Sequence, residues 1–261
     1  MKNKYLSLKD FINQSNSRLY DLERTINPYS GNHIYWCSKE NDFCKNNFPN
    51  TFGFDYQIKK HIIEHAIHLP INYGIIDCGA HIGDGTIPIA DALIKHGRSD
   101  IKIYAIDPSP DKCKYIETIA KINNLSNIQV IQYGLSNKDN DTYSHAIDEN
   151  WGSNTGGTKW HSTSEPEKIA KNREIIKFIK LDTLVSNGVI DRNIGYIHFD
   201  VEGMEPQAIL GGINLFARDK PIFSGETHTP KNTSDILKIL SPLGYKFQEK
   251  ILSNSIFMVN T

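Results

Sequence analysis

Asp77 ends an apolar run, and glycines at 79, 83 and 85 follow it in the stretch IIDCGAHIGDGT. A strand that runs into a glycine-rich turn lets a ligand approach the backbone closely. The detail of the turn decides which ligand. A dinucleotide fingerprint needs glycine where this chain has His81, and a phosphate loop needs Lys followed by Ser or Thr, which is missing here. An acid ahead of the glycines repels phosphate but can pair with an amino group. Asp107 closes the next apolar run, IKIYAID, where a carboxylate can accept from a ribose diol.

An amino acid joined to a ribonucleoside without phosphates satisfies both acids, and S-adenosylmethionine is that molecule. The expected cofactor contacts begin with Asp77 and the turn residues Gly79, Ala80, His81 and Gly83, and continue with Asp107. Four more groups with proton or metal chemistry stand just past strand ends: Asp200, Glu202, Glu226 and His228. A hydroxyl is a poor nucleophile, so methyl transfer to one calls for a positioned base, and these four are the catalytic candidates. Asp200, Glu202 and Glu226 could alternatively hold a divalent metal, which is the second reading.

The elements that must position these residues alternate regularly. DYQIKKHIIEHAIHL places Ile58, Ile62, Ala66 and Leu69 on one helical face and leaves His61, His65 and His68 on a wet one. After Gly74–Cys78, TIPIADALIKHG reads as a helix with Thr86 as N-cap and Gly97 at its end. IKIYAID is a strand, PSPDKCKYIETIAKINN a helix, and NIQVIQYGL a strand reaching Leu135. Residues 137–172 break the rhythm with a polar, glycine-containing stretch that carries Trp151 and Trp160, expected to be a lid-like insertion. The pattern then resumes with EIIKFIK, a short helical turn capped by Asp182, NIGYIHFD, the helix EPQAILGGINLFARD, KPIFSGETH and the helix SDILKILSPLG. YKFQEKI and SIFMVN close as an antiparallel hairpin. Glu205 reads as a solvated first-turn acid. The fold expected is α/β: a doubly wound, mostly parallel sheet over 71–261, with a C-terminal antiparallel hairpin and a partly helical N-terminal extension over 1–70.

Composition narrows the partners. With 29 basic and 30 acidic residues the net charge is −1, and no basic stripe suggests a nucleic-acid surface. No run approaches the roughly 18 apolar residues of a membrane span, and the first 25 residues lack a signal-peptide core, so a cytoplasmic location is expected. The four cysteines, Cys37, Cys44, Cys78 and Cys113, form no CxxC pair and read as free thiols.

DCGAHIGDGT, AIDPSP, FIKLDTL, HFDVEGMEPQAILGG and GETH, in that order, resemble the FkbM-type S-adenosylmethionine-dependent methyltransferases over about residues 75–245. The resemblance implies a class I methyltransferase fold. It sets Gly79, Ala80 and Gly83 against the methionine part of the cofactor, with Asp77 near its amino group. Asp107 would meet the ribose, Gly134 and Leu135 the adenine, and Asp200 and Glu202 the transferring methyl group and acceptor. Two positions depart from the family's usual residues: His198 stands where members often carry Lys, and Asp107 where they often carry Glu. The activity implied is O-methyl transfer to a sugar, glycan or other small hydroxylated acceptor. The alternatives are a binding domain without catalysis and a nicotinamide oxidoreductase, the latter disfavoured by His81.

Overall fold

Ile75 and Ile76 are neighbours in sequence and point to opposite faces of one strand, yet both are buried. A strand apolar on both faces belongs in the middle of a parallel sheet covered by helices. The structure, a computed structural model, describes residues 23–36, 55–146, 161–162 and 173–259. A hairpin of β1 (Glu23–Ile26) and β2 (His33–Trp36) precedes α1 (Tyr56–Ala66). Then β3 (Gly74–Cys78), α2 (Thr86–Lys95), β4 (Lys102–Asp107), α3 (Pro110–Ile122) and β5 (Ile128–Gln132) alternate. Four short strands follow: β6 (Gly134–Leu135), β7 (Asp141–Ala146), β8 (His161–Ser162) and β9 (Arg173–Ile179). The second half holds α4 (Leu181–Ser186), β10 (Ile194–Phe199), α5 (Glu205–Gly211), α6 (Ile213–Asp219), β11 (Ile222–Glu226) and α7 (Pro230–Leu240). It ends with β12 (Tyr245–Ile251) and β13 (Asn254–Val259).

The central sheet has seven strands in the order β12-β13-β11-β10-β3-β4-β5. Its four inner pairings from β11 to β5 are parallel, and β13 runs antiparallel to both β11 and β12. This is the doubly wound sheet with a closing hairpin that the sequence predicts. The chain winds outward from β3 to β5, then returns to β10 on the other side of β3. That reversal opens a crevice at the carboxyl ends of β3 and β10.

Each face carries its own core. Ile75, Ile103, Ala105 and Tyr196 pack with Ile58, Ile62, Ile87, Leu93 and Ile116 from α1 to α3. Ile76, Tyr104, Phe199 and Phe223 pack on the other face with Leu181, Ile209, Phe216 and Leu240.

Several local expectations change. The N-terminal extension is helical at α1 but also holds the β1–β2 hairpin, which docks through polar contacts. Asn27 Nδ2 and Asn32 Nδ2 donate to Asp91 on α2 at 2.7 and 2.9 Å, and Ser30 Oγ donates to it as well. Trp36 is buried and meets Tyr115 of α3 edge-on. The histidine face of α1 is not uniformly wet: His61 Nδ1 lies 2.9 Å from the buried Tyr196 Oη, while His68 is exposed.

The strand expected to reach Leu135 breaks at Tyr133. β6 leaves the central sheet for a smaller one, ordered β6-β9-β7-β8. The insertion at 137–172 therefore contributes β7 and β8 to that sheet, and Trp151 and Trp160 lie outside the described residues. The single helix expected after β10 is two, divided at Gly212, and Gly211 beside the division passes the Ser136 carbonyl, where an added Cβ would sit 2.0 Å away. Asp182 caps α6 rather than its own helix, accepting from Asn214 N and Leu215 N at 3.1 and 2.9 Å. Cys78 and Cys113 are free and buried. No helix among the described residues is long and apolar enough to cross a membrane.

Candidate active site

The turn after β3 uses three left-handed residues, Gly79 (φ 80°), His81 (51°) and Gly83 (83°). Gly79 and Ala80 donate their N–H groups to the Ile106 carbonyl at 2.9 and 3.1 Å, folding the turn across the end of β4. The second turn, after β10, presses against the first. Asp200 N donates to the Cys78 carbonyl at 2.9 Å, and an added Cβ on Gly79 would lie 1.7 Å from the Asp200 carbonyl oxygen. Only glycine fits there.

Each turn is held by one buried acid. Asp107 is 4% exposed; its Oδ2 accepts from His81 N and its Oδ1 from Ser109 N, both at 2.9 Å. Glu205 is 5% exposed rather than solvated, and its Oε1 accepts from Val201 N and Gly203 N at 3.3 and 3.2 Å. Burial pushes its carboxyl up. These bonds satisfy backbone donors that tight turns would otherwise leave unpaired.

Asp77 faces inward. Its Oδ2 accepts from Thr86 Oγ1, so Thr86 is the first residue of α2 bonded back to β3 rather than its N-cap, which is Gly85. Burial raises the Asp77 carboxyl, against the pull of His198, its cross-strand neighbour on β10. Lys59 of α1, 4% exposed, reaches over to Asp84 of the turn with Nζ–Oδ2 at 3.1 Å. Burial would lift Asp84, but the Lys59 ammonium outweighs it and holds this carboxyl below the usual range. Burial and Lys112 push the His81 ring down to about 3, so it is a neutral imidazole at neutral pH.

Asp200, Glu226 and His228 come together at the mouth of the crevice. Asp200 shares a hydrogen bond with Glu226, and burial followed by the Glu226 charge pushes its carboxyl up to about 9. At neutral pH Asp200 therefore keeps its proton and donates it to Glu226. Its buried Oδ1 meets no hydrogen-bond partner among the described residues. His228 Nε2 stands 3.3 Å from Glu226 Oε2, with a side chain 70% exposed. Glu202, at φ 55°, acts on Asp200 through its charge.

Asp200, Glu202 and Glu226 do not converge as a metal-ligand set: among the described residues no group of three or more His, Cys, Asp or Glu is placed to hold an ion. Gly134 has a packing reason of its own, since an added Cβ would lie 2.4 Å from the Phe178 ring, and Leu135 belongs to the core.

The residues present fit an amino-acid nucleoside. The crevice offers a glycine turn pressed against Asp200, an acid at the end of each of β4 and β11, and an unpartnered Asp200 oxygen, while the Lys59 charge beside the turn is matched by Asp84. A family model for the methyltransferase FkbM domain matches residues 77–247. The chain belongs to the FkbM methyltransferase family. The matched span runs from Asp77 into β12.

Solved structures similar to this FkbM protein include methyltransferase FkbM from Methylobacillus flagellatus, at 15% identity and a TM-score of 0.48 over 85% of this chain. The chain spans 61% of that protein's length. An S-adenosylmethionine-dependent methyltransferase from Aquifex aeolicus is 13% identical, with a TM-score of 0.43 over 84% of this chain and 97% of its own. A putative methyltransferase from Streptococcus mutans, in complex with SAH, is 12% identical, with a TM-score of 0.43 over 78% of this chain and 94% of its own. No curated relative matches the sequence.

The sequence reading of the site did not reach Lys59 or Asp84, nor Glu205 as the clamp of the second turn. Lys59 carries no local signal, because its partner lies 25 residues away across a helix packing. A signal did exist for His198. Tyr196 and His198 alternate with Ile197 and Phe199 in a strand buried on both faces, and polar side chains there need partners.

Proposed function

We propose that this methyltransferase moves the methyl group to a hydroxyl of a sugar, glycan or other small hydroxylated acceptor. S-adenosylmethionine, when bound, supplies an electrophilic methyl group on a positively charged sulfur. In this reading Gly79, Ala80 and Gly83 bring the backbone against the methionine part, with Asp77 toward its amino group. Asp107 serves the ribose, and Gly134 with Leu135 borders the adenine.

The observation that supports a hydroxyl acceptor is the Asp200–Glu226 pair. A hydroxyl must lose its proton as the new bond forms, and the pair sets a protonated carboxyl beside a second carboxyl that an imidazole also approaches. Asp200 holds Glu226 by hydrogen bond, and His228 Nε2 lies 3.3 Å from Glu226 Oε2. Holding the acceptor oxygen in line is the larger contribution, since orientation accounts for about 7–11 kcal/mol of a bimolecular barrier.

The test has two steps. Calorimetry with S-adenosylmethionine and S-adenosylhomocysteine should give binding that Gly79→Val abolishes. Purified protein with the cofactor should then convert members of a panel of neutral sugars and glycans to methyl ethers, read by mass spectrometry. Methyl transfer confined to nitrogen or carbon acceptors sinks the hydroxyl reading. Binding without turnover on any acceptor points to a domain that only binds.

A further inference from the structure

Gly85 is a glycine that the fold itself does not require. Its backbone is ordinary helix, φ −84° and ψ −56°, where any residue fits, whereas Gly79 and Gly83 in the same turn are left-handed. Among the described residues an added Cβ would meet two atoms within 4 Å, Asp77 Oδ2 at 3.4 Å and Lys59 Cε at 4.0 Å, both at ordinary van der Waals range. A helix start accepts Ser, Thr, Asp or Asn as readily as glycine, so capping does not select it either. Glycine here keeps a small space free, and Gly85 is half-buried.

Opposite charges border that space. Asp77, at the end of β3, is buried, with Oδ2 accepting from Thr86 Oγ1. Lys59 of α1 is buried as well, which is rare for a lysine unless its ammonium is paired. Its Nζ donates to Asp84 Oδ2 at 3.1 Å. Among the described residues that is its one hydrogen bond, so donors remain for a ligand. The helix that carries Lys59 precedes the span matching the family model, so this cation is a contribution of the N-terminal extension.

Resting on the reading that S-adenosylmethionine is the cofactor, we propose that Lys59 binds the α-carboxylate of its methionine part at the space Gly85 leaves open, so that α1 completes the cofactor site. The amino group and carboxylate of an amino acid share one carbon, and a site for both needs an anion and a cation beside one small gap. Asp77 and Lys59 meet that need at Gly85. Asp84 steers the ammonium and offsets its charge, and the N-terminus of α2, which begins at Thr86, adds attraction for an anion. A lysine that served only to fasten α1 to Asp84 would leave Gly85 no reason to be glycine.

The test is calorimetry on the full chain with three ligands: S-adenosylhomocysteine, its decarboxylated form, and 5′-methylthioadenosine, which lacks both the amino group and the carboxylate. The wild type should bind S-adenosylhomocysteine about ten- to hundredfold more tightly than the decarboxylated form. Lys59→Met with Asp84→Asn, which leaves no buried charge unpaired, should bring those two affinities within about twofold of each other. Gly85→Ala should keep the wild-type Tm to within about 4 °C. It should weaken S-adenosylhomocysteine about tenfold, with 5′-methylthioadenosine unchanged, and it carries the test if the double variant does not fold. Equal affinities for the first two ligands in the wild type overturn the Lys59 contact and leave the cofactor reading standing. The same follows if the carboxylate is worth as much in the double variant as in the wild type, or if Gly85→Ala binds all three ligands normally. A wild type that binds none of the three overturns the cofactor reading and this contact with it.

Discussion

The carbonyl oxygen of Asp200 occupies the space where a side chain on Gly79 would begin, 1.7 Å from an ideal Cβ. Two turns separated by more than a hundred residues are thereby pressed into contact at the switch point. Gly79 also has φ 80°, so a substitution there meets both backbone strain and backbone overlap. Gly79→Ala should cost about 2–5 kcal/mol of stability, from overpacking and left-handed strain together, and should remove cofactor binding. Gly97→Ala is the control: it has φ 74° with nothing within 4 Å of an added Cβ, and should cost about 1 kcal/mol with binding intact. Urea unfolding and calorimetry measure both. Equal losses at the two glycines would mean that contact with Asp200 contributes nothing.

Asp200 gives the site a pH signature. Its carboxyl is held at about 9 in the folded chain and near 3.9 when unfolded. Between those values the folded chain keeps a proton that the unfolded chain has released. The stability from this group is therefore complete below about pH 4 and falls as pH rises toward about 9, by at most about 1.4 kcal/mol per pH unit. Asp200→Asn keeps a donor for Glu226 and removes the titration. The variant should match the wild type below about pH 4 and become progressively more stable than it from there to about pH 9. Parallel Tm-against-pH curves would mean that Asp200 is ionised in the folded protein.

Lys59 and Asp84 tie α1 to the glycine turn, with the lysine nearly fully buried. Lys59→Met leaves Asp84 without its cation and should destabilise the protein by about 3 kcal/mol, while Lys59→Met with Asp84→Asn should recover most of that. Because Asp84 lies in the turn itself, the single variant should also weaken S-adenosylhomocysteine binding. Full stability in the single variant, measured by urea unfolding, would show that the pair does not fasten α1.

The alternation of apolar strands with amphipathic helices was legible because burial on both faces demands it residue by residue, as Ile75 and Ile76 illustrate. The glycine turn was legible for a similar local reason: left-handed backbone and close approach restrict positions 79 and 83 to glycine. Asp182 and Glu205 were misread because a carboxylate near a helix start suits capping, turn-clamping or solvent equally well, and only the neighbouring segment decides which. In Asp182 the deciding donors come from 32 and 33 residues away. The break at Tyr133 has the same origin, since β9, which β6 joins in the second sheet, is remote in sequence.

The sequence by itself determined the doubly wound class, the order of its elements and the turn that identifies the cofactor, because these follow from periodicity and from single-residue stereochemistry. Tertiary structure decided which acids hold a turn and which pair with another side chain, since charge and hydrogen bonding depend on distance and burial rather than on spacing along the chain. It also decided that His61 meets Tyr196 and that His198 meets Ser224. Those residues come from three elements, and only the register of β10 with β11 and the packing of α1 bring them into contact.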